Sequence, residues 1–188
     1  MASKTLGEPW TDANGRVELG TRRQETRPWT VDASRSTVEF EVQTFWGLST
    51  VHGRFHRFEG FYAVEANGAA VLELTIDADS VDTGNGTRDR HLRSVRFFDV
   101  AAHPQMRFAS TLIHGVDGTI AVAGQLEARG RRIGLAFEAT NRSYRDEVEI
   151  EATTTLDQRE LGMTFSPLGM ILAPATLHVK ARLTPDTR

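Results

Sequence analysis

The stretch Thr37-Val-Glu-Phe-Glu-Val-Gln43 alternates polar and apolar residues with a period of two. Val38, Phe40 and Val42 therefore fall on one face of an extended chain, and the polar residues fall on the other face. This alternation is typical of a strand with one buried and one solvated face. The stretch predicts a half-buried β-strand.

The same alternation recurs along the chain. It is found at residues 72–76, 133–138, 147–151 and 177–183. Turn signals separate these runs, at Ala66-Asn-Gly68, Val116-Asp-Gly118 and Arg129-Gly130. The sequence therefore predicts an all-β domain of antiparallel strands joined by short turns. A sandwich and a closed barrel both fit this pattern.

One stretch breaks the period of two, from Asn85 to Phe98. Thr87 is a candidate N-cap, and Leu92 and Val95 would share one side of a short helix. We therefore expect a short helical insertion near residues 87–98.

The ends of the chain differ in composition from its middle. Residues 1–27 are predicted to be a polar N-terminal arm that need not be ordered, residues 28–184 the domain, and residues 185–188 a C-terminal tail. The arm lacks the apolar stretch of roughly 7–15 residues that a secretory signal needs. No stretch approaches the ~20 apolar residues of a transmembrane helix, although transient membrane contact stays open. These patterns predict a cytoplasmic location.

Composition excludes several classes of function. The chain has 188 residues and no cysteine, so thiolate catalysis, disulfides and cysteine-ligated metals are excluded. Lys and Arg number 22 against 25 Asp and Glu, giving a formal net charge of −3. Because neutralising phosphates needs a basic face, we expect no nucleic-acid partner.

The sequence favours neither a catalytic site nor a metal site. His52 and His56 lie four residues apart, about 13 Å on a strand, so they are not expected to share a metal ion. Glu147, Glu149 and Glu151 are expected to form a solvated face of one strand. No nucleophile elbow or phosphate-binding loop is present, so we predict a protein that is not an enzyme and holds no cofactor or metal.

The apolar faces of these strands are rich in phenylalanine, of which the chain has 10. Inward Phe and Leu side chains can fill a solid core or line a cavity for an apolar ligand. Periodicity by itself favours the solid core.

Several segments carry Gly, Asp, Arg and Phe at recognisable spacings, each segment with its own pattern. They are Asp32-Ala-Ser-Arg-Ser36, Gly53-Arg-Phe55, Asp79-Ser-Val-Asp-Thr83, Arg88-Asp-Arg-His-Leu-Arg-Ser94, Phe97-Phe-Asp-Val100, Pro104-Gln-Met-Arg-Phe108 and Asp157-Gln-Arg-Glu-Leu-Gly162. Together they resemble the YceI-like family from about Trp29 to Leu183. The chain departs from the family at Arg35, where a His is common, and at Thr44 or Phe45, where another His is often found.

The resemblance implies an eight-stranded antiparallel, lipocalin-like barrel with a short helical piece. It also implies an apolar interior that binds an isoprenoid lipid, either an isoprenoid quinone or a polyprenyl phosphate, and a homodimer. We therefore predict a carrier or reservoir for such a lipid, without catalysis. Two alternatives stay open: a stress-response interaction module with a solid core and a partner-binding outer face, and an enzyme that uses His91 with Asp89.

Candidate site residues follow from the inward positions and from the family signature. The predicted ligand-binding residues are Phe40, Val42, Phe55, Leu74, Ile76, Phe97, Phe98, Phe108, Leu126, Leu135, Phe137, Ile150, Met163, Phe165 and Met170. The polar signature cluster is Arg88, Asp89, His91 and Ser94. This cluster would act either as a structural latch or as a contact for the ligand.

Overall fold

The computed structural model describes residues 28–44, 48–65, 69–115, 118–163 and 174–186. The strands within these ranges are β1 Trp29–Val31, β2 Thr37–Thr44, β3 Ser49–Phe55, β4 Phe58–Val64, β5 Ala70–Asp77, β6 Val81–Asp82, β7 Gln105–Gly115, β8 Gly118–Ala128, β9 Arg131–Ser143, β10 Val148–Leu156 and β11 Ala175–Pro185. The helix in these ranges is α1, Gly86–Arg93, and two 3₁₀ turns cover Ala33–Arg35 and Ala78–Ser80.

The described strands close into a barrel. β4, β5, β7, β8, β9, β10 and β11 pair antiparallel in that order, and β11 returns to pair with β1 and β2. β1 and β2 are the two halves of one bent strand. The same holds for β3 and β4, and for β5 and β6. The described ranges thus hold eight long antiparallel strands, which confirms the predicted barrel and removes the sandwich.

The bend between β1 and β2 explains the Asp and Ser of the first family segment. Asp32 Oδ1 accepts hydrogen bonds from the Ser34 amide at 3.0 Å and the Ser34 hydroxyl at 2.6 Å. The Ser34 hydroxyl holds the pKa of Asp32 below its usual value. The Ser36 hydroxyl donates to the Asp32 carbonyl and accepts the Arg182 amide at 3.0 Å. The bend is therefore attached to β11, where the barrel closes.

The tight turn between β8 and β9 matches the Arg129-Gly130 signal. Both residues have positive φ, 52° and 67°, as a two-residue hairpin requires. Of the other predicted turns, residues 66–68 and 116–117 lie outside the described residues.

The predicted short helix is confirmed as α1, but the predictions of its N-cap and of the side on which Val95 packs were wrong. Asn85, not Thr87, caps α1, because its Oδ1 accepts the amides of Thr87 and Arg88 at 3.1 Å each. Asn is also a stronger N-cap than Thr. The helix ends at Arg93, since the Ser94 backbone is extended, and Val95 is 66% exposed instead of packed beside Leu92.

The end of the barrel that carries α1 is called the capped end. Because the strands alternate in direction, the described residues 48, 83–104, 129–130, 157–163 and 174, which lie between strands, are all at this end. Arg129 donates from Nη1 to the Gly162 carbonyl and from Nη2 to the Val95 carbonyl at 2.8 Å. The β8–β9 turn therefore links the residues after α1 to the turn after β10.

Glu147, just before β10, and Glu149 and Glu151 on β10 are not the solvated face that alternation predicts. Glu149 is buried, with a side chain that is 5% exposed, and Arg182 Nη2 lies 2.6 Å from it. Arg182 also contacts Glu147 at 2.5 Å, and Lys180 contacts Glu151 at 2.5 Å. Cations of the neighbouring β11 cover these carboxylates, so the expectation of free solvation was wrong.

This ion-pair row gives a pH-dependent prediction for Glu151→Gln. Lys180 holds the pKa of Glu151 below its usual value, chiefly by a hydrogen bond. A lowered pKa in the folded state stabilises the protein above the unfolded-state pKa, and this contribution disappears as pH falls. The variant should therefore melt below the parent chain at pH 7, and the Tm difference should narrow below about pH 4.

Melting curves at several pH values check this prediction, with Glu59→Gln at an exposed position as the matched control. A Tm difference for Glu151→Gln that stays constant from neutral to acid pH would contradict it.

Candidate ligand-binding cavity

The interior of the barrel contains a cavity of about 460 Å³. Its wall is built almost entirely from apolar side chains on the inward faces of the strands. The volume lies within the range of roughly 300–1,000 Å³ typical of small-molecule sites. The solid interior that periodicity favoured is therefore not what the structure has.

Most of the candidate ligand-binding residues lie on the wall of this cavity. They are Phe40, Val42, Phe55, Leu74, Ile76, Phe97, Phe98, Phe108, Leu126, Leu135, Phe137, Ile150 and Met163. The remaining two, Phe165 and Met170, lie outside the described residues.

Two glycines explain how so many phenylalanines leave the interior open. Gly53 lies opposite Phe40 on the paired strand, and a Cβ there would overlap the Phe40 ring. A Cβ at Gly124 would come within 2.5 Å of the Phe108 ring. Because each ring takes the space that a Cβ would occupy, it packs over the glycine of the paired strand. These rings are part of the wall.

The aromatic rings also contact one another around the barrel. The Phe40 and Phe55 centroids are 5.6 Å apart, and Phe55 meets Phe98 edge-on at 5.7 Å. Phe108 and Phe137 form a third pair at 5.6 Å. Such tilted and edge-on pairs add to the stability of the wall.

Small and aliphatic residues on β10 and β11 complete the wall and were missing from the candidate set. Ala152 lies between Ala139 and Val179 on its two neighbouring strands, and all three line the cavity. Leu177 of β11 also lines it. The alternation over 177–183 was signal enough to include the β11 residues, because the same period marks them as inward-facing.

The polar side chains of the lining gather at the capped end. They are Thr44, Arg88, His91, Thr154 and Gln158, from the ends of β2 and β10, from α1 and from the turn after β10. Glu73, in the middle of β5, is the exception and forms an ion pair with Arg107. The cavity therefore has an apolar body and one polar end.

The structure brings the polar signature cluster together around Thr83. Arg88 donates from Nε to Thr83 Oγ1 at 2.7 Å and from Nη2 to the Thr83 carbonyl at 2.8 Å. Asp89, which is buried, accepts the Thr83 amide and hydroxyl at 2.9 and 2.6 Å on Oδ1. These bonds hold α1 against the end of β6.

The other two members of the cluster lie further along the helix. The Ser94 hydroxyl donates to the His91 carbonyl at 2.7 Å and closes the C-terminal turn. The His91 ring packs edge-on against Phe97, with centroids 4.9 Å apart. Arg88 and His91 therefore both face the cavity, whereas Asp89 and Ser94 hold the helix in place.

His52 on β3 and His56, just after β3, have separate carboxylate partners. His52 Nδ1 lies 3.3 Å from Glu41, and His56 Nε2 lies 3.0 Å from Asp82. Within the described ranges no three His, Asp or Glu side chains are grouped to hold a metal ion. The described part of the chain also has no helix long and apolar enough to cross a membrane.

Comparison with known families agrees with this architecture. A family model for the YceI-like domain matches residues 29–184. The chain belongs to the YceI-like family. Its curated relatives include a UPF0312 protein of Pectobacterium atrosepticum, 32% identical over 101 residues, and Protein YceI of Salmonella arizonae, 31% identical over 110 residues. These matches cover 53% and 57% of this chain and 52% and 57% of the relatives, so the chain spans about half the length of the curated relatives it matches.

Solved structures of similar shape extend over more of the chain. Burkholderia cenocepacia BcnA superimposes with a TM-score of 0.73 at 17% identity, covering 81% of this YceI-like chain and 98% of BcnA. A polyisoprenoid binding domain from Saccharophagus degradans gives 0.72 at 14% identity, covering 84% and 98%. At these identities the likeness establishes a shared barrel fold.

Proposed function

We propose that the chain binds one isoprenoid lipid in the barrel, as a carrier or reservoir that leaves the lipid chemically unchanged. The observation that carries this proposal is an apolar cavity in the described barrel whose polar lining residues, except Glu73, lie together at one end. An isoprenoid lipid has the matching shape, because it joins a long apolar chain to one polar group. The Saccharophagus degradans neighbour, described as a polyisoprenoid binding domain, supports the same ligand class.

The apolar wall would supply most of the binding free energy. An isoprene unit exposes roughly 100 Å² of apolar surface, so its burial contributes about 2–3 kcal/mol at ~25 cal/mol per Å². Two or three buried units offset the translational and rotational freedom that the ligand loses. We therefore expect affinity to rise with the number of units until the cavity is full.

The head group of this ligand would lie at the capped end, beside Arg88 and His91. Both side chains carry hydrogen-bond donors, and the Arg88 guanidinium is permanently charged. Donors of this kind suit the acceptor oxygens of a prenyl phosphate or of a quinone. Charge favours the phosphate, since a hydrogen bond between two ions is about twice as strong as a neutral one.

Arg88→Ala tests the head-group assignment. The variant should lower affinity for a prenyl phosphate by roughly tenfold or more, because a charge-assisted hydrogen bond is lost. It should change affinity much less for the prenyl alcohol of the same length, since the apolar chain contacts remain. Titrating the parent chain and the variant with both ligands measures the loss of affinity for each ligand.

The relative losses for the phosphate and the alcohol distinguish a head-group contact of Arg88 from a structural role of Arg88. Arg88 also bonds Thr83, and a merely structural loss would weaken both ligands equally. Equal losses for phosphate and alcohol would therefore overturn the assignment. Arg90→Ala is the matched control on the same helix, because Arg90 is exposed and lies outside the cavity lining.

Two other readings are less well supported. The interaction module requires a solid core, which a cavity of about 460 Å³ does not favour. The enzyme reading pairs His91 with Asp89, but Asp89 Oδ1 is engaged by two hydrogen bonds from Thr83. The cytoplasmic location and the homodimer stay predictions.

A further inference from the structure

Arginines concentrate at the capped end, and several of them have neutral partners. Arg90 donates to the Gly86 carbonyl and the Thr87 hydroxyl of its own helix. Arg129 donates to two backbone carbonyls, and Arg131 at the start of β9 donates to the Glu160 carbonyl. Arg88 likewise bonds the oxygens of Thr83. The acceptors of these hydrogen bonds are carbonyl and hydroxyl oxygens, which carry no formal charge.

The acidic residues of this end balance that charge only in part, because its described connecting residues hold Arg88, Arg90, Arg93, Arg96, Arg129 and Arg159 against Asp89, Asp99, Asp157 and Glu160. Asp89 is buried against Thr83. Asp157 is occupied by Arg159, whose hydrogen bonds lower the pKa of Asp157 to about 2. The connecting residues described at the opposite end have the reverse balance, with Glu65, Asp146 and Asp186 against Arg145.

Two large apolar side chains are exposed on the same end. Leu48, beside the start of β3, is 87% exposed, and Val95, just after α1, is 66% exposed. Arg129 bonds the Val95 carbonyl, so an arginine lies beside this exposed apolar residue. Exposed apolar side chains among arginines are the combination that binds at an interface of anionic headgroups and acyl chains.

We propose that the capped end docks on the surface of an anionic lipid bilayer. The arginines would attract the headgroups electrostatically, while Leu48 and Val95 enter the region between headgroups and acyl chains. The same end carries the polar part of the cavity, so docking would bring the cavity against the bilayer. The inference goes beyond the proposed function, because docking needs no isoprenoid in the cavity.

Arg90→Glu tests the electrostatic part, with vesicles that contain no isoprenoid. The full chain should bind phosphatidylglycerol–phosphatidylcholine vesicles and only weakly bind pure phosphatidylcholine vesicles. Each arginine near such a surface changes partition by about fivefold, so this charge reversal should weaken binding at least roughly tenfold. Arg145→Glu makes the same change at the opposite end and should leave partition at the parent value. Vesicle co-sedimentation measures the partition of the parent chain and of both variants onto the vesicles.

Equal losses for the two variants, or indifference of the parent chain to phosphatidylglycerol, would overturn the proposal. Tighter binding to a DNA duplex than to the anionic vesicles would also overturn it, since it would make this end a nucleic-acid surface. Melting curves verify that both variants fold.

Leu48→Ser tests the apolar part. At an ionic strength of about 1 M the Debye length is about 3 Å, so the remaining vesicle binding should come mostly from apolar contact. Leu48→Ser should lower this remainder several-fold. The matched control is Leu112→Ser on β7, which is 60% exposed on the barrel wall and should have no effect. Identical binding by both serine variants would contradict insertion of Leu48.

Discussion

Ala152→Trp is expected to weaken isoprenoid binding strongly and to leave the barrel folded. The Ala152 methyl group faces the cavity from β10, between Ala139 and Val179. An indole at this position would take the space of about one isoprene unit. Losing the burial of that unit, at about 2–3 kcal/mol, corresponds to roughly a 30- to 150-fold loss of affinity. Titration with a prenyl ligand measures it.

The control for this variant is Ala136→Trp on the neighbouring β9, where the side chain is exposed. It adds the same indole to the outside of the barrel and should retain the affinity of the parent chain. If Ala152→Trp folds and binds as tightly as Ala136→Trp, the ligand does not occupy this cavity.

Gly124→Ala should lower the free energy of unfolding by about 3 kcal/mol. The new Cβ would lie 2.5 Å from the Phe108 ring and 2.5 Å from the Ala109 carbonyl oxygen. The ring can move only into the cavity, and the carbonyl belongs to the backbone of β7. Relief therefore requires a shift of the strand. Urea unfolding at neutral pH measures the change.

Gly134→Ala is the matched control, since a Cβ at Gly134 on β9 has no heavy atom within 4 Å. It should be neutral or slightly stabilising, because alanine has less conformational freedom than glycine in the unfolded chain. Similar stabilities for the two variants would show that the Phe108 ring does not pack over Gly124.

Local pattern predicts the strands of this protein well and predicts their closure poorly. The alternation at Val38, Phe40 and Val42 identifies β2, because side-chain direction depends only on the pleat of the backbone. Closure depends on contacts such as the Arg182 amide with the Ser36 hydroxyl, which are 146 residues apart. The polar–apolar alternation within a strand does not indicate such a contact, so the barrel could be expected only from family resemblance.

The same distinction explains the outcome at the site. The inward Phe and Leu positions follow from the period, but the open interior depends on Phe40 lying over Gly53 of the paired strand. The solvation of Glu149 was predicted wrongly for the same reason, because the Arg182 that covers it comes from another strand. Cross-strand neighbours decide burial, and a single strand's sequence does not contain them.

The central claim is that the barrel interior holds an isoprenoid lipid. The most direct test purifies the parent chain and Ala152→Trp in parallel, extracts each with organic solvent, and analyses the extracts by mass spectrometry. The account predicts one isoprenoid species, approaching one molecule per chain, from the parent chain and little from the variant. No isoprenoid from the parent chain, or equal amounts from the two proteins, would contradict it.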